Sequence, residues 1–188
     1  MPIIGLTKTG EARLPTIGRI RKGGAKVQKV NRKGETYEVM GPDLDYFRFV
    51  TDDASLAKLW GSTYGATPRE VNILFPYPTV EECFDYWRES YSAGSLLHRC
   101  DGVTSTLWLD PQTNQYRTDP IPCSGYYHAE HKKDGCKPVG RLTVLVREFS
   151  RLAHVTVETH SLNDIKQIVE NLEALFSVRR NLRGIPCV

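Results

Sequence analysis

Five side chains of the kind that bind metals crowd one stretch of the sequence: Cys100, Cys123, His128, His131 and Cys136. The segment between Cys123 and Cys136 is polar and has no apolar core of its own, so something else must order it. Soft thiolates and imidazoles converging in a group of four are the donor set that Zn²⁺ takes tetrahedrally. Cys100, Cys123 and Cys136 are the thiolate candidates, with His128 expected as the fourth ligand and His131 as its alternate. The spacing, Cys-x22-Cys-x4-His-x2-His-x4-Cys, is irregular and less diagnostic than a pair of CxxC knuckles. Local chemistry supports it all the same. Cys100 precedes Asp101-Gly102, Cys123 follows Pro122 and Gly135 precedes Cys136. Turns of this kind aim backbone amides at thiolate sulfur. Four protein ligands close the coordination sphere and leave no position for water or substrate. The expected site is therefore a structural staple, worth on the order of 10 kcal/mol of folding energy when loaded.

The chain has 188 residues, enough for one domain, or one domain with an appendage. Its apolar fraction of 40 % and three Trp can supply a core. A net charge of +3 is only mildly basic, short of a dedicated nucleic-acid binder. No apolar run is long enough to span a bilayer, and Met1-Pro2-Ile3-Ile4-Gly5-Leu6 lacks a secretory signal pattern, so a cytoplasmic protein is expected. In that compartment clustered cysteines favour metal over disulfide.

The fold class expected is α+β, with antiparallel or mixed sheets, two or three helices and an irregular zinc-binding loop. Residues 1–45 read as a basic N-terminal segment or hairpin packed on a main domain of residues 46–188, whose zinc-stapled lobe covers about 96–140. Between Arg19 and Lys33 stand seven cations and no acid, interrupted by Gly23-Gly24 and followed by Gly34. This reads as a hairpin with a basic tip, either a contact for phosphates or an acidic surface, or a solvated loop. Tyr46–Val50 reads as a strand. Asp52 or Asp53 is placed to cap a helix holding Leu56, Leu59 and Trp60 and ending near Gly65. Val71, Ile73 and Phe75 alternate as a further strand. Thr79-Val80-Glu81-Glu82 is a capping box, and Cys83, Phe84, Trp87 and Tyr91 follow at helical steps toward Gly94, which predicts an aromatic-faced helix. Thr104–Leu109 reads as a strand turning at Asp110-Pro111 and Asn114 into Gln115–Arg117. Leu142–Val146 and Ala153–Glu158 predict an antiparallel pair. Ser161 caps a last helix carrying Ile165, Ile168, Val169, Leu172, Leu175 and Phe176. The final run, Ile185–Val188, reads as a short edge strand or as the point where a longer chain has been cut.

His98, His154 and His160 stand apart from the cluster and read as structural. No Ser-His-Asp order, phosphate-binding loop, GxGxxG or HExxH occurs. The pairs Asp43/Asp45 and Asp52/Asp53 fit turns and caps. A metallohydrolase would need an open zinc and a base, for which Glu130 is the one nearby acid considered.

The chain resembles the recombination directionality factors that accompany large serine integrases, from actinophages and from prophage and mobile-element relatives. The matching residues are Ile17-Gly18-Arg19-Ile20-Arg21, Asp45-Tyr46-Phe47-Arg48-Phe49 and Arg99-Cys100-Asp101-Gly102. Further on come Pro122-Cys123, Cys136-Lys137-Pro138 leading into Arg141-Leu142, and Val157-Glu158-Thr159-His160-Ser161. The resemblance covers most of the chain in order. It implies a four-ligand metal site, in such relatives usually all cysteine; three bracket cysteines here leave the fourth place to a histidine. It implies no enzyme but a regulator of DNA recombination and viral genome excision. Such a factor binds a large serine integrase by protein–protein contact and redirects it toward excision, touching DNA indirectly or through auxiliary phosphate contacts and no membrane. The alternative is a zinc-containing nucleic-acid-binding module, with the basic Arg19–Lys33 stretch and Tyr126 and Tyr127 as a phosphate groove and stacking platform.

Overall fold

The computed structural model describes residues 14–39, 41–92, 94–123 and 136–188. They form an α+β fold around one large mixed sheet. Its main path runs, from edge to edge, β10 (Ile121–Pro122), β8 (Thr104–Leu109), β7 (Ser95–Cys100), β6 (Phe84–Ser92), β11 (Lys137–Val146), β12 (His154–Thr159), β1 (Thr16–Gly23) and β4 (Asp43–Val50). The β1–β12 pairing is parallel and its neighbours are antiparallel. Three short strands join at the margins: β5 (Ile73–Leu74) beside β11, β13 (Pro186–Cys187) beside β5, and β9 (Tyr116–Arg117) beside β8. Among the described residues β2 (Val27–Val30) and β3 (Thr36–Val39) pair only with each other.

One face of the sheet is apolar because alternate residues along each strand point to it. Leu142, Val144 and Val146 of β11, Val155 of β12 and Ile20 of β1 are buried there. Against them pack Leu56 and Trp60 of α1 (Ala54–Tyr64) and Ile165 and Leu172 of α3 (Leu162–Arg179). Phe49 stacks on Trp60 at 5.2 Å and meets Phe149 at 5.0 Å, which fixes α1 to the β4 end of the core. The intervening residues Arg141, Thr143, Thr156, Glu158, Arg19 and Arg21 are polar and belong to the other face. Gly140 of β11 lies against the Phe84 ring and the Ile165 side chain; a Cβ there would stand 2.8 Å from Phe84 and 2.9 Å from Ile165.

Most local signals hold. Asp53 caps α1 by accepting from the Ser55 and Leu56 amides, and Gly65 ends it. Ser161 caps α3 at Asp164 N. Asn114 takes a positive φ of 53° in the turn joining β8 to β9. β11 and β12 are the antiparallel pair expected. The helix expected after Thr79 is corrected. The capping box is present, but it starts a single turn, α2 (Val80–Cys83), and the chain then extends as β6. The aromatics that fit a helical spacing also alternate at period two: Phe84 and Tyr86 on one face, Asp85, Trp87 and Glu89 on the other. Long-range pairing to both β7 and β11 stabilises the strand, and aromatic residues favour it. The strand–helix–strand–helix unit expected between residues 46 and 93 therefore ends in strand. The strand around Val71–Phe75 shrinks to two residues, with Val71 and Phe75 buried on either side.

Filling the close approach at Gly140 should be costly. Gly140→Val is expected to destabilise the protein by about 1–3 kcal/mol through overpacking against Phe84 and Ile165. The readout is a lower urea midpoint with an unchanged slope.

Candidate metal centre

β7 ends at Cys100, and its two-residue period puts His98 and Cys100 on one face of the sheet. β6 pairs Ser90 with His98 and Arg88 with Cys100. On its other side β6 pairs Glu89 with Lys137, a register that continues to place Cys136 beside Ser90. His98 and Cys136 thus flank the buried Ser90 from adjacent strands. Cys123 arrives from the far edge: it follows β10, and its amide donates to the Val103 carbonyl at 2.7 Å in the β7–β8 turn. Asp101 builds that turn by accepting from the Val103 and Thr104 amides, each at 2.7 Å.

The result is a group of four donors. The ligand atoms of His98, Cys100, Cys123 and Cys136 all lie within 4.8 Å of one another. Cys100 and Cys136 are fully buried, with their sulfurs 3.9 Å apart, and His98 Nε2 is 2.7 Å from Cys136 Sγ. Ligands at about 2.0–2.3 Å from a tetrahedral centre stand roughly 3.3–3.8 Å from each other, so the cluster has the scale of a metal site. All four are donors that borderline-soft ions prefer, and no carboxylate belongs to the group. Burial pushes the Cys100 and Cys136 thiols above their ordinary range, with mutual repulsion among the sulfurs opposing ionisation further. A bound cation reverses that preference, because it binds the thiolate and releases the proton.

A second device holds the ligand-bearing strands from behind. Between His98 and Cys100 stands Arg99, which belongs to the opposite face. It donates to Glu89 of β6 at 2.7 and 2.9 Å. Arg141 of β11, the strand that Cys136 leads into, grips the same carboxylate with two bonds at 2.6 and 2.9 Å. Tyr91 OH adds a third donor at 2.8 Å. Glu89 is 1 % exposed. Burial alone would raise its pKa, but the hydrogen bonds from Arg141, Tyr91 and Arg99 outweigh that and bring it down to about 2. Arg99 also lies over the Trp87 ring at 5.8 Å.

The structure brings Cys100, Cys123 and Cys136 together. His128 and His131 lie outside the described residues, as do Glu130, Tyr126 and Tyr127. His98, read from sequence as standing apart, is instead a member of the cluster. Its signal was the His-x-Cys alternation at the end of a strand, visible only once that stretch is known to be extended. His154 and His160 are structural: His154 Nε2 bonds Thr16 Oγ1 at 2.7 Å, and His160 bridges Glu158 and the Pro138 carbonyl. Of the basic stretch, Arg19 and Arg21 lie on β1 and pair with Glu158. Asp53 is the cap of α1. No helix among the described residues is long and apolar enough to cross a membrane.

Residues 17–188 match the family described as Gp3-like, recombination directionality factor-like. No curated protein and no solved structure matches the chain. The chain belongs to that family, which is one of recombination regulators rather than catalysts.

Two measurements probe the site. Elemental analysis of untagged protein is expected to find stoichiometric metal, lost in Cys100→Ser and in His98→Ala and retained in His128→Ala and His131→Ala. Retention in His98→Ala with loss in either of the others would assign the fourth place to the loop. Glu89→Gln leaves two half-buried arginines facing a neutral amide and should cost about 1–3 kcal/mol at pH 7. Because the folded pKa of Glu89 is depressed, its contribution is present above the ordinary carboxylate value of 4.5 and is lost as pH falls toward about 2. The stability gap between wild type and Glu89→Gln, in which metal-site titration is shared, should therefore narrow below pH 4.5.

Proposed function

We propose that this member of the recombination directionality factor-like family is a non-enzymatic regulator that binds a large serine integrase and switches it toward excision. The family match across residues 17–188 carries the reading. The donor cluster is consistent with it. Its four side chains, three thiols and an imidazole, suit Zn²⁺, and that many protein ligands would leave no place for a substrate or an attacking water. His98, Cys100, Cys123 and Cys136 would hold the ion, which would supply a structural cross-link between β7, the end of β10 and the start of β11. The ion would close a ring of chain around a segment with little core. Action would be cytoplasmic, where a recombinase works on DNA and thiols stay reduced.

A regulator of this kind performs no bond chemistry. It has to bind one recombinase arrangement better than another, since a partner with equal affinity for both shifts nothing. Driving synapsis from 1:99 to 99:1 takes a differential of about 10⁴-fold. That demand explains a stiff, stapled fold: a surface that deforms to fit both arrangements loses the difference.

The experiment pairs capture with outcome. Wild-type protein is expected to retain the serine integrase encoded beside it at micromolar concentration and to convert attachment-product DNA to excision products. Cys100→Ser should lose both. Failure of the wild type to associate with that integrase would remove this reading.

A further inference from the structure

Among the described residues the hairpin formed by β2 and β3 is bonded to no other strand, and its residues are exposed almost throughout. It is the distal half of a long ribbon. β1 and β4 pair in the main sheet, the Gly24 amide donates to the Pro42 carbonyl at 2.8 Å, the Gly41 amide to the Ala25 carbonyl at 3.1 Å, and β2–β3 follows. A Cβ on Gly24 would stand 2.9 Å from the Pro42 carbonyl oxygen, and one on Gly41 would lie inside contact with that of Ala25. The root is therefore pinched, and the arm is aimed by backbone. The tip is ordered too. Asn31 Oδ1 accepts from the Lys33 and Glu35 amides at 2.8 and 2.9 Å, and Gly34 supplies the left-handed turn at φ 83°.

An isolated two-stranded hairpin is marginal in water. This one also exposes Val30 at 66 %, Tyr37 at 46 % and Val27 at 42 %. Glu38 pairs with Lys26 at 3.0 Å, while Glu35 accepts from the neutral Asn31 side-chain amide at 2.7 Å and keeps its charge, so the four cations Lys26, Lys29, Arg32 and Lys33 outweigh two acids. Lys29, Arg32 and Lys33 have no acidic partner among the described residues. Cross-strand register sets Lys29 opposite Tyr37, with Val27 opposite Val39 on the same face. One cation, Lys29, therefore sits within an aromatic and aliphatic strip, and two more, Arg32 and Lys33, stand at the tip. A two-stranded ribbon is one of the two elements that the major groove of duplex DNA, about 12 Å wide, admits.

We propose that the β2–β3 hairpin is a DNA-contacting arm, with Lys29, Arg32 and Lys33 meeting phosphates of a duplex and the Tyr37 face lying along the groove. The occupant is duplex DNA because the hairpin's net charge is positive and exposed, and a two-stranded ribbon is an element that the major groove admits. The arm adds a DNA contact that the recombinase reading does not require and does not depend on it.

The test uses the full chain and a labelled duplex of about three helical turns. The wild type is expected to bind it with a salt-dependent affinity. The triple variant Lys29→Ala, Arg32→Ala, Lys33→Ala should bind at least about tenfold more weakly at low salt, and its log–log salt slope should flatten by about 2.7 for three lost phosphates. Because the hairpin pairs with no other described strand and the three side chains are surface cations, metal content and thermal midpoint should stay unchanged, which separates loss of contact from loss of fold. Equal duplex affinity and slope in the two proteins would overturn the arm. So would a variant that loses integrase capture while keeping duplex affinity, because the occupant would then be an acidic protein surface. Absence of integrase capture by the wild type, with the DNA effect intact, would sink the regulator reading and leave the arm standing.

Discussion

A single buried carboxylate organises the half of the sheet that carries the donor cluster. Glu89 is gripped by Arg99 from β7 and Arg141 from β11, the two strands that flank its own. An unpaired carboxylate at that depth would be untenable, and two arginines without it would be as costly. The three charges and Tyr91 therefore stand or fall together. Because Arg99 sits between His98 and Cys100, the force that satisfies Glu89 on one face also fixes the spacing of two donors on the other. Alternation along a strand turns one ionic network into a positioning device for a site it does not touch.

The two faces have different tasks. On the α1–α3 side, close apolar packing at Phe84, Gly140 and Ile165 ties helix to sheet. At the far end of that face the helices no longer supply a core, and the donor cluster takes over. A polar loop crossing there would bring little hydrophobic stabilisation, whereas coordination energy contributes directly to folding. The molecule combines a core-stabilised half with one whose donors suit a metal cross-link.

Sequence reasoning recovered the elements whose signals are local. Caps at Asp53, Thr79 and Ser161, the turn at Asn114 and the β11–β12 pair all lie where short-range chemistry puts them. It failed at residues 84–92, where spacing fitted two periods at once. The arbiter was the pair of neighbouring strands, which no local window contains. His98 was missed for the same reason. If residues 84–92 are a helix, β7 has no partner on that side, and nothing brings His98 to Cys136.

What the chain's residues settled alone was chemistry: a surplus of thiols and imidazoles in one region, a basic stretch that contains no acid, and caps that start three helices. Those follow from side-chain type and nearest-neighbour bonds. Tertiary structure decided which histidine stands with Cys100, Cys123 and Cys136, which arginines are spent on Glu89 and Glu158, and which cations remain to project on the hairpin. Those are questions of strand register, and register is a property of the whole sheet, set only when distant segments pair.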